Sequence, residues 1–395
     1  MPPNQLLNTS KHEHDVYKRL DKLYYYGMRL LLLGITPHKF FGKCYFKGAI
    51  LYVTVILLYI LYGLGELLWA IIIPGGILER LSHAYVCSYC ASYGVIWVYL
   101  MVKLETIHQN RIDFKSFNCS RLLGNTEVES ILQKNINYFV KTLFAASLLA
   151  GANVTSYILG FVVELIVQYA ETGTLEEICV LSCFPFPLWG QMIIAAANLV
   201  TLFMCFSIIM SMYIITGLLS LEIETQCEIL TRTMAYDEVN DDFKTFVIDH
   251  IRLIKQTKWV VRLFENINNS LFFSSYVCLA MQMFSLSVIK PEGYYYLGVF
   301  SDFCVEFIVM ASQCWLSSAV TNSVLSISEG VYNTPWYRKN KSNAIDVILM
   351  TQMAQRPYIQ RVFLGTMKIE KETMIQVIQQ SYSFYALLMI LQSKK

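Results

Sequence analysis

The sequence predicts an all-α membrane protein with seven transmembrane helices. Of its 395 residues, 55% are hydrophobic and only 15% are charged, a balance that is typical of membrane proteins. The apolar residues are clustered in long runs instead of alternating with polar residues. Because backbone groups cannot stay unpaired in lipid, these runs are expected to form helices.

The first region, residues 1–47, is expected to be a cytoplasmic N-terminus. It carries charges throughout, and its apolar stretch at 30–35 is too short to cross a bilayer. A small-residue cleavage site does not follow this stretch, so a signal peptide is not expected. The surrounding pattern instead predicts an amphipathic helix that lies on the bilayer or packs on the bundle.

Seven apolar runs reach the length of about 20 residues that a helix needs to cross a bilayer. The first six fall in a region from 48 to 320, and the last belongs to a C-terminal region from 373 to 395. The runs are 48–73, 82–102, 142–167, 192–218, 270–289, 295–320 and 373–391.

The distribution of Lys and Arg predicts the orientation of these spans. With a cytoplasmic N-terminus, only four of the 31 basic residues fall in extracellular segments: Arg80, Lys290, Lys394 and Lys395. Basic residues are concentrated in the cytoplasmic loops of membrane proteins. An odd number of spans then places the C-terminus outside the cell.

The cytoplasmic segments are predicted to extend the spans as helices. Residues 103–141 and 249–269 have helical spacing and continue directly into neighbouring spans. In the region 321–372, a helix of about a dozen residues is expected beneath the bilayer, ending at Pro357. Its apolar stripe must be buried against its own bundle or against another subunit. The stripe consists of Ile345, Ile348, Leu349 and Met353.

Catalytic and metal-binding patterns have little support. Cys87 and Cys90, with His83 one turn earlier, have the spacing of metal ligands but lack a fourth donor. Cys179 and Cys183 share an outer loop and could pair in an oxidising compartment. The sequence contains no GxSxG, HExxH or phosphate-cradling motif. We therefore expect no enzyme activity, cofactor or metal, and the net charge of +2 gives no reason to expect nucleic acid.

Aromatic residues in the outer halves of several spans could converge on one cavity. A small apolar ligand would be held there by burial, with a Tyr or Thr hydroxyl setting its orientation. Core packing or an interfacial aromatic belt is the alternative for each residue. The candidate ligand-binding residues are Tyr85, Tyr89, Tyr93, Tyr157, Phe161, Thr201, Phe203, Tyr276 and Phe300.

Few charged residues fall within the predicted spans. Asp302 and Glu306 lie one turn apart on the sixth span, where they either line water or occupy an interfacial or internally hydrogen-bonded position. A transporter would be expected to carry more such groups and paired broken helices. The predicted cavity is nearly free of charge, which excludes strongly charged ligands.

The last span carries amides that a helix facing only lipid does not need. Gln376, Gln380 and Ser383 fall within a stripe about 60° wide on an ideal helix. This polar face could meet a polar neighbour in the same bundle. It could also meet symmetry copies of itself and line an aqueous pore, and the spacing alone leaves both options open.

Two short stretches near the C-terminus carry a resemblance to a known family. SYSFYALL at 381–388 and VYNTPWY at 331–337, with seven spans and a cytoplasmic N-terminus, resemble insect odorant receptors. Members of that family are ligand-gated cation channels, in which an odorant-binding subunit and a shared co-receptor form a heterotetramer. The resemblance implies an odorant-binding subunit in the plasma membrane of olfactory sensory neurons.

The resemblance also implies where ligand and partners bind. A small volatile apolar ligand would bind among the outer halves of the second, third, fourth and sixth spans. The cytoplasmic ends of the fourth to seventh helices would form the subunit anchor, and lipid would surround the remaining surface.

The resemblance places the pore on the last helix. In the co-receptor an aliphatic gate residue lies three residues before a Gln, and Met389 and Gln392 match that spacing. Tyr385 lies seven residues before Gln392 instead of six, so Leu388 competes with Met389 as the gate. Gln392 also lies about 120 to 180° around the helix from the polar stripe. That stripe, which contains Gln376, would then line a wider vestibule or contact another subunit.

Two other receptor classes share the seven-helix architecture. A G-protein-coupled receptor would need the opposite orientation, and the third and last spans lack its DRY and NPxxY motifs. A gustatory receptor of the same superfamily shares the orientation, but SYSFYALL fits the odorant type better.

Overall fold

The computed structural model describes residues 19–27, 59–65, 67–68, 71–72, 77–115, 125–172, 188–236, 244–288, 294–334, 336, 341–356, 358–363 and 365–393. These residues are almost all helical, including 19–27 and those between 59 and 72. The remaining elements, in chain order, are α1 (Ile77–Lys115), α2 (Asn125–Thr172), α3 (Leu188–Tyr236), α4 (Lys244–Val288), α5 (Tyr294–Tyr332), α6 (Lys341–Ala354), β1 (Arg361–Val362), β2 (Met367–Lys368) and α7 (Lys371–Ser393).

Helices α1 to α5 are much longer than a bilayer is thick. They contain 39 to 49 residues each. At 1.5 Å per residue they measure about 58 to 74 Å, whereas the hydrocarbon layer measures about 30 Å. Each helix must therefore project well beyond the hydrocarbon. The prediction that residues 103–115 and 249–269 continue the neighbouring spans as helices is confirmed.

In the described part of the chain, four helices are long and apolar enough to cross a bilayer: Cys87–Arg111, Phe203–Met234, Lys244–Ser287 and Gly298–Tyr332. They match the predicted second, fourth, fifth and sixth spans. The predicted third and last spans are helical as parts of α2 and α7. The chain is thus a multi-pass membrane protein, while the count of seven spans and the positions of the termini stay predictions.

The long helices pack into one bundle. α3 packs mainly on α5, α1 mainly on α4, and α2 lies against α3 and α5. Buried residues of α1 to α6 form the main core, and a smaller core joins α4 and α5 to the strands and α7. α3 contacts α2 at Gly217, where an added Cβ would overlap the ring of Phe139.

Within the single chain, helix α6 buries a face other than the predicted stripe, so burial against another subunit stays the prediction for that stripe. Val347, Met350 and Ala354 are buried against the bundle, mainly on α5. The predicted stripe residues Ile345, Ile348 and Leu349 are exposed in the single chain. A 14-residue helix with apolar residues on two faces satisfies helical spacing on either, so periodicity could not identify the buried one. As predicted, the helix ends before Pro357.

A short antiparallel hairpin connects α6 to α7. β1 and β2 pair Arg361 with Lys368 and Val362 with Met367. The turn uses two left-handed residues, Phe363 with φ 53° and Gly365 with φ 86°. Glycine adopts this conformation freely.

Side chains of α4 and α5 hold this hairpin in place. The backbone N–H of Phe363 donates to Asn269 Oδ1 at 2.8 Å, which offsets the cost of its left-handed φ. Asn268 Nδ2 donates to Gln360 Oε1 at 3.1 Å, and Ser317 Oγ donates to the carbonyl of Ile369 at 3.0 Å. The start of α7 is therefore fixed relative to both helices.

Candidate functional site

The structure brings two of the predicted ligand-binding residues together. Tyr89 and Tyr93 lie one turn apart on α1, with ring centroids 4.4 Å apart and planes tilted by 56°. Tyr93 is fully buried, and Tyr89 packs half-buried against the main core. This pair faces the interior of the bundle where α1 meets α4 and α5.

Three of the other predicted residues, Phe203, Phe300 and Tyr276, do not join this pair. Phe203 and Phe300 are 53% and 48% exposed, so they lie on the outer surface of the single chain. Tyr276 contacts the hairpin instead, with its hydroxyl donating to Met367 Sδ at 3.7 Å. Thr201 is buried. The side chains of Tyr85, Tyr157 and Phe161 lie outside the described residues.

A carboxyl group lies directly beside Tyr93. Glu306 on α5 is 1% exposed and accepts hydrogen bonds from Ser275 Oγ on α4 at 2.5 Å and from the Tyr93 hydroxyl at 3.4 Å. Of the two readings that the sequence left open, the structure shows the internally hydrogen-bonded one for Glu306. Three helices thus meet at one buried acid.

A second carboxyl group lies one turn along the same face of α5. Asp302 accepts a hydrogen bond from Asn153 Nδ2 on α2 at 2.8 Å. Asn153 is itself buried, and its Oδ1 has no hydrogen-bond partner. The prediction of a nearly charge-free interior next to Tyr93 is therefore wrong, because these two carboxyl groups face α1, α2 and α4.

A third contact joins the helical residues near 59–72 to this part of the bundle. The Tyr59 hydroxyl donates to the carbonyl of Cys90 at 2.7 Å and lies 3.6 Å from Cys205 Sγ. Tyr59 therefore ties the predicted first span to α1 and α3, close to the Tyr89 and Tyr93 pair.

The half of the bundle that is predicted to be cytoplasmic contains a buried ionic cluster centred on Arg111. Its Nε lies 2.9 Å from Glu222 Oε1 on α3, and its Nη1 lies 3.1 Å from Asp21 Oδ1 in the N-terminal helical residues. The guanidinium also lies 4.4 Å from the ring centroid of Tyr24. The cluster could not be predicted from the sequence, because Arg111 lies more than 80 residues from each of its partners in the chain.

The same cluster docks residues 19–27 onto the bundle. Leu20 and Tyr24 are buried, as expected for one face of the predicted amphipathic helix. Burial raises the pKa of the Tyr24 hydroxyl above its ordinary value, and the nearby guanidinium opposes that rise. The described part of the N-terminal helix therefore packs on the bundle.

Helix α7 leaves one long face exposed. Gln376, Gln380 and Ser383, the predicted polar stripe, are all exposed, and Leu387 and Ile390 continue the same face. On an ideal helix these five residues lie within about 80° of one another. The opposite face, with Val377 and Leu388, packs on the chain's own bundle.

The predicted gate residues lie closer to the bundle than to this exposed face. Leu388 is buried, and Met389 Sδ accepts a hydrogen bond from Ser287 Oγ on α4 at 3.5 Å. Tyr385 is half-buried, with its ring 5.7 Å from that of Tyr382. The side chain of Gln392 lies outside the described residues. Sequence reasoning missed Leu387 and Ile390, although their spacing of four and seven from Ser383 continues the stripe.

A groove opens beside the polar end of α7. It has a volume of about 780 Å³ and runs between α4, the hairpin and the first three turns of α7. Lys368, Glu370, Glu372, Gln376 and Gln380 line it together with apolar side chains that include Phe273, Val277 and Phe363. The polar face of α7 is thus continuous with this groove at one end of the bundle.

The candidate metal and disulfide sites gain no support. Among the described residues, no group of three or more His, Cys, Asp or Glu side chains is arranged to hold a metal ion. Cys87 and Cys90 are both unoxidised thiols, and the side chain of His83 lies outside the described part. Cys179 and Cys183 also lie outside it, so their pairing stays a prediction.

Comparison with solved structures identifies the fold. The chain is similar to the insect olfactory receptor OR5 from Machilis hrabei in complex with eugenol, with a TM-score of 0.78 and 15% identity over 96% of this chain and 99% of that one. A second structure of the olfactory receptor OR5 from Machilis hrabei matches with a TM-score of 0.78 and 14% identity over 95% of this chain and 99% of that one. At these identities the likeness shows the fold.

Comparison of sequences identifies the family. Among curated proteins no sequence matches. The model of the 7tm odorant receptor family matches residues 91–382, well over half of the chain. This range includes the buried acid on α5, the hairpin and about half of α7. The resemblance inferred from SYSFYALL and VYNTPWY is confirmed, and the chain belongs to the 7tm odorant receptor family.

Proposed function

We propose that the chain is the odorant-binding subunit of a heteromeric, odorant-gated cation channel in the plasma membrane of olfactory sensory neurons. The observation that carries this proposal is the exposed face of α7, which runs from Gln376 to Ile390. A membrane helix with amides on a face that its own bundle does not cover needs a polar environment. A shared aqueous pore supplies one. The function is binding and gating, not catalysis.

The pore in this proposal has two parts. Gln376, Gln380 and Ser383 line a wide, hydrated inner part next to the groove, and Leu387 and Ile390 form an apolar constriction further along the same face. Apolar constrictions gate channels by excluding water. For Met389 and Gln392 to line the outer pore, as the resemblance implies, α7 would have to turn in the assembled channel.

The ligand in this proposal is a small volatile molecule. The fold is shared with a receptor solved in complex with eugenol, which supports a small organic ligand. The interior where Tyr89 and Tyr93 meet α5 offers both aromatic surface and polar groups, the mixture that is typical of small-molecule sites. The family match favours this function over the gustatory and G-protein-coupled receptors.

Co-expression is the direct test. We expect the chain alone to give little or no odorant-evoked current, and the chain with its co-receptor to give cation current. The measurement is whole-cell current during a panel of volatiles, with the co-receptor alone as control. Robust ligand-gated current from the chain alone would contradict an obligate heteromer.

The exposed stripe of α6 supports a subunit anchor. The face of α6 that contains Met350 already packs on the chain's own bundle. Ile345, Ile348 and Leu349 are exposed and therefore available to a second subunit. Obligate interfaces are apolar at their centre, and a few central residues carry most of the binding energy.

We expect Ile348→Glu to reduce co-purification with the co-receptor by roughly fivefold or more, the loss that a central interface residue typically causes. Gln352→Glu adds the same charge at another exposed position of α6 and should leave assembly unchanged. The measurement is the yield of co-receptor pulled down from detergent extracts at equal surface expression. Equal yields for both variants would place the interface elsewhere.

A further inference from the structure

We propose that the odorant of this receptor is an amine, and that its ammonium group binds at the carboxyl cluster formed by Glu306, Asp302, Asn153, Ser275 and Tyr93. The inference rests on the proposed odorant-binding function and names the ligand class of that site. It follows from three features of the cluster: its excess of hydrogen-bond acceptors, its lack of a counter-charge at Glu306, and the aromatic rings beside it.

The cluster contains more acceptors than donors. When ionised, the Glu306 carboxylate would offer about four acceptor positions, and it accepts two hydrogen bonds in the structure, from Ser275 and Tyr93. The Oδ1 of Asn153 is a further buried acceptor that has no partner, on the amide that donates to Asp302. Buried acceptors without donors are costly. An ammonium group has three donors and no acceptor, so it complements this set.

Glu306 also lacks a compensating charge. The ion pairs found in the described part of the chain involve Arg111 and Arg232, and neither pairs with Glu306. Burying a carboxylate without a cation costs several kcal/mol, which is why acids within membrane helices usually mark functional sites. A ligand that brings its own positive charge offsets that cost, whereas an alcohol or ester does not.

Aromatic rings lie where an ammonium group would bind. The Tyr93 hydroxyl donates to Glu306, and the Tyr89 ring packs on that of Tyr93. A cation close to the carboxyl group would therefore also meet an aromatic ring, and cation–π attraction strengthens when the site is dry. Carboxylate and aromatic rings together distinguish an amine from a neutral molecule of the same shape.

The burial of side chains along α5 indicates the direction from which a ligand would reach the cluster. Asp302 and its neighbours Ser301 and Phe303 are half-buried, whereas Glu306, one turn further along, is sealed. In the predicted orientation Asp302 lies nearer the extracellular end of α5. A ligand entering from that side would meet Asp302 first and reach Glu306 by displacing the long 3.4 Å hydrogen bond from Tyr93.

Binding to the purified full-length chain is the first test. We expect straight-chain primary amines of about four to eight carbon atoms, which suit a small-molecule cavity, to raise the unfolding temperature more than alcohols of equal length. Glu306→Gln should raise the half-saturating amine concentration by about tenfold or more, since a hydrogen bond to a charged group is lost. Glu329→Gln, an exposed position on the same helix, should match the wild type.

Three results would contradict the proposal that the ligand is an amine. The inference is overturned if amines and alcohols stabilise the wild type equally, if no amine stabilises it, or if Glu306→Gln binds amines as the wild type does. Should Glu306→Gln fail to fold, Asp302→Asn replaces it, with the same expected loss and the same overturning result.

Currents from the co-expressed channel separate this inference from the proposed function. Amine binding without any evoked current would contradict the channel proposal and leave the ligand class intact. Currents evoked by neutral volatiles, with none evoked by amines, would contradict the ligand class and leave the channel proposal intact. Current evoked by amines and weakened by Glu306→Gln would support both.

Discussion

Replacing Arg111 with Met is expected to lower the free energy of unfolding by about 3 kcal/mol. Breaking a buried ion pair typically costs about 3 to 5 kcal/mol, and the side chains of Arg111 and Glu222 are only 5% and 10% exposed. The low end applies because Asp21 is 45% exposed, so water compensates for part of its loss. Met keeps the apolar stem, so the change isolates the charge.

The same chain offers a matched control for this variant. Arg232 pairs with Glu228 one turn away on α3 at 2.6 Å, but the two side chains are 47% and 29% exposed. Arg232→Met should therefore cost about 0.5 kcal/mol or less. The measurement is the thermal unfolding of both purified variants in detergent. Equal destabilisation by the two changes would show that the buried ion pairs of Arg111 stabilise the protein no more than the exposed pair of Arg232 does.

Replacing Gly217 with Ala is expected to destabilise the protein by about 2 kcal/mol, within the usual range for overpacking a core. The new Cβ would overlap the ring of Phe139 on α2. That ring is buried and stacks on Tyr213 at a centroid distance of 6.3 Å. It cannot move aside freely, so α2 and α3 must separate.

Gly151→Ala, in the interior of α2, is the control for Gly217→Ala. No heavy atom lies within 4 Å of a Cβ added there. Because Ala favours the helix over Gly by about 1 kcal/mol, this variant should be neutral or stabilising. Unfolding temperatures of the two purified variants give the comparison. A Gly217→Ala protein as stable as the wild type would mean that the α2 and α3 contact is not tightly packed.

Much of the helical architecture could be predicted from the sequence, because long apolar runs have one stable form in lipid. The continuation of α1 and α4 beyond the apolar spans was also predictable, since charged residues there follow helical spacing without a break. Loop-free continuity of this kind depends on local sequence alone. The positions of the helices along the chain therefore depend little on tertiary contacts.

The details of the candidate site depended on tertiary contacts that spacing does not encode. Ile348 and Met350 both fit an apolar stripe on α6, and only packing on α5 decides that Met350 is buried. On α7, the sequence identified the polar stripe that starts at Gln376. The resemblance implied Met389 as the gate residue, whereas the exposed face of the helix runs through Leu387. Glu306 stood out as an intramembrane acid, yet its partners come from two other helices.

In the proposed channel, the length of α5 would link odorant binding to subunit assembly. α5 has 39 residues and carries both the carboxyl cluster and the surface on which α6 packs. A tilt of roughly 4° about the midpoint of a continuous helix of about 58 Å displaces each end by about 2 Å. Displacements of this size are enough to switch a packed interface between two arrangements. In the proposed channel, the helices that surround the ligand would themselves transmit this movement to the anchor. A separate transmitting domain between the ligand site and the anchor would not be needed.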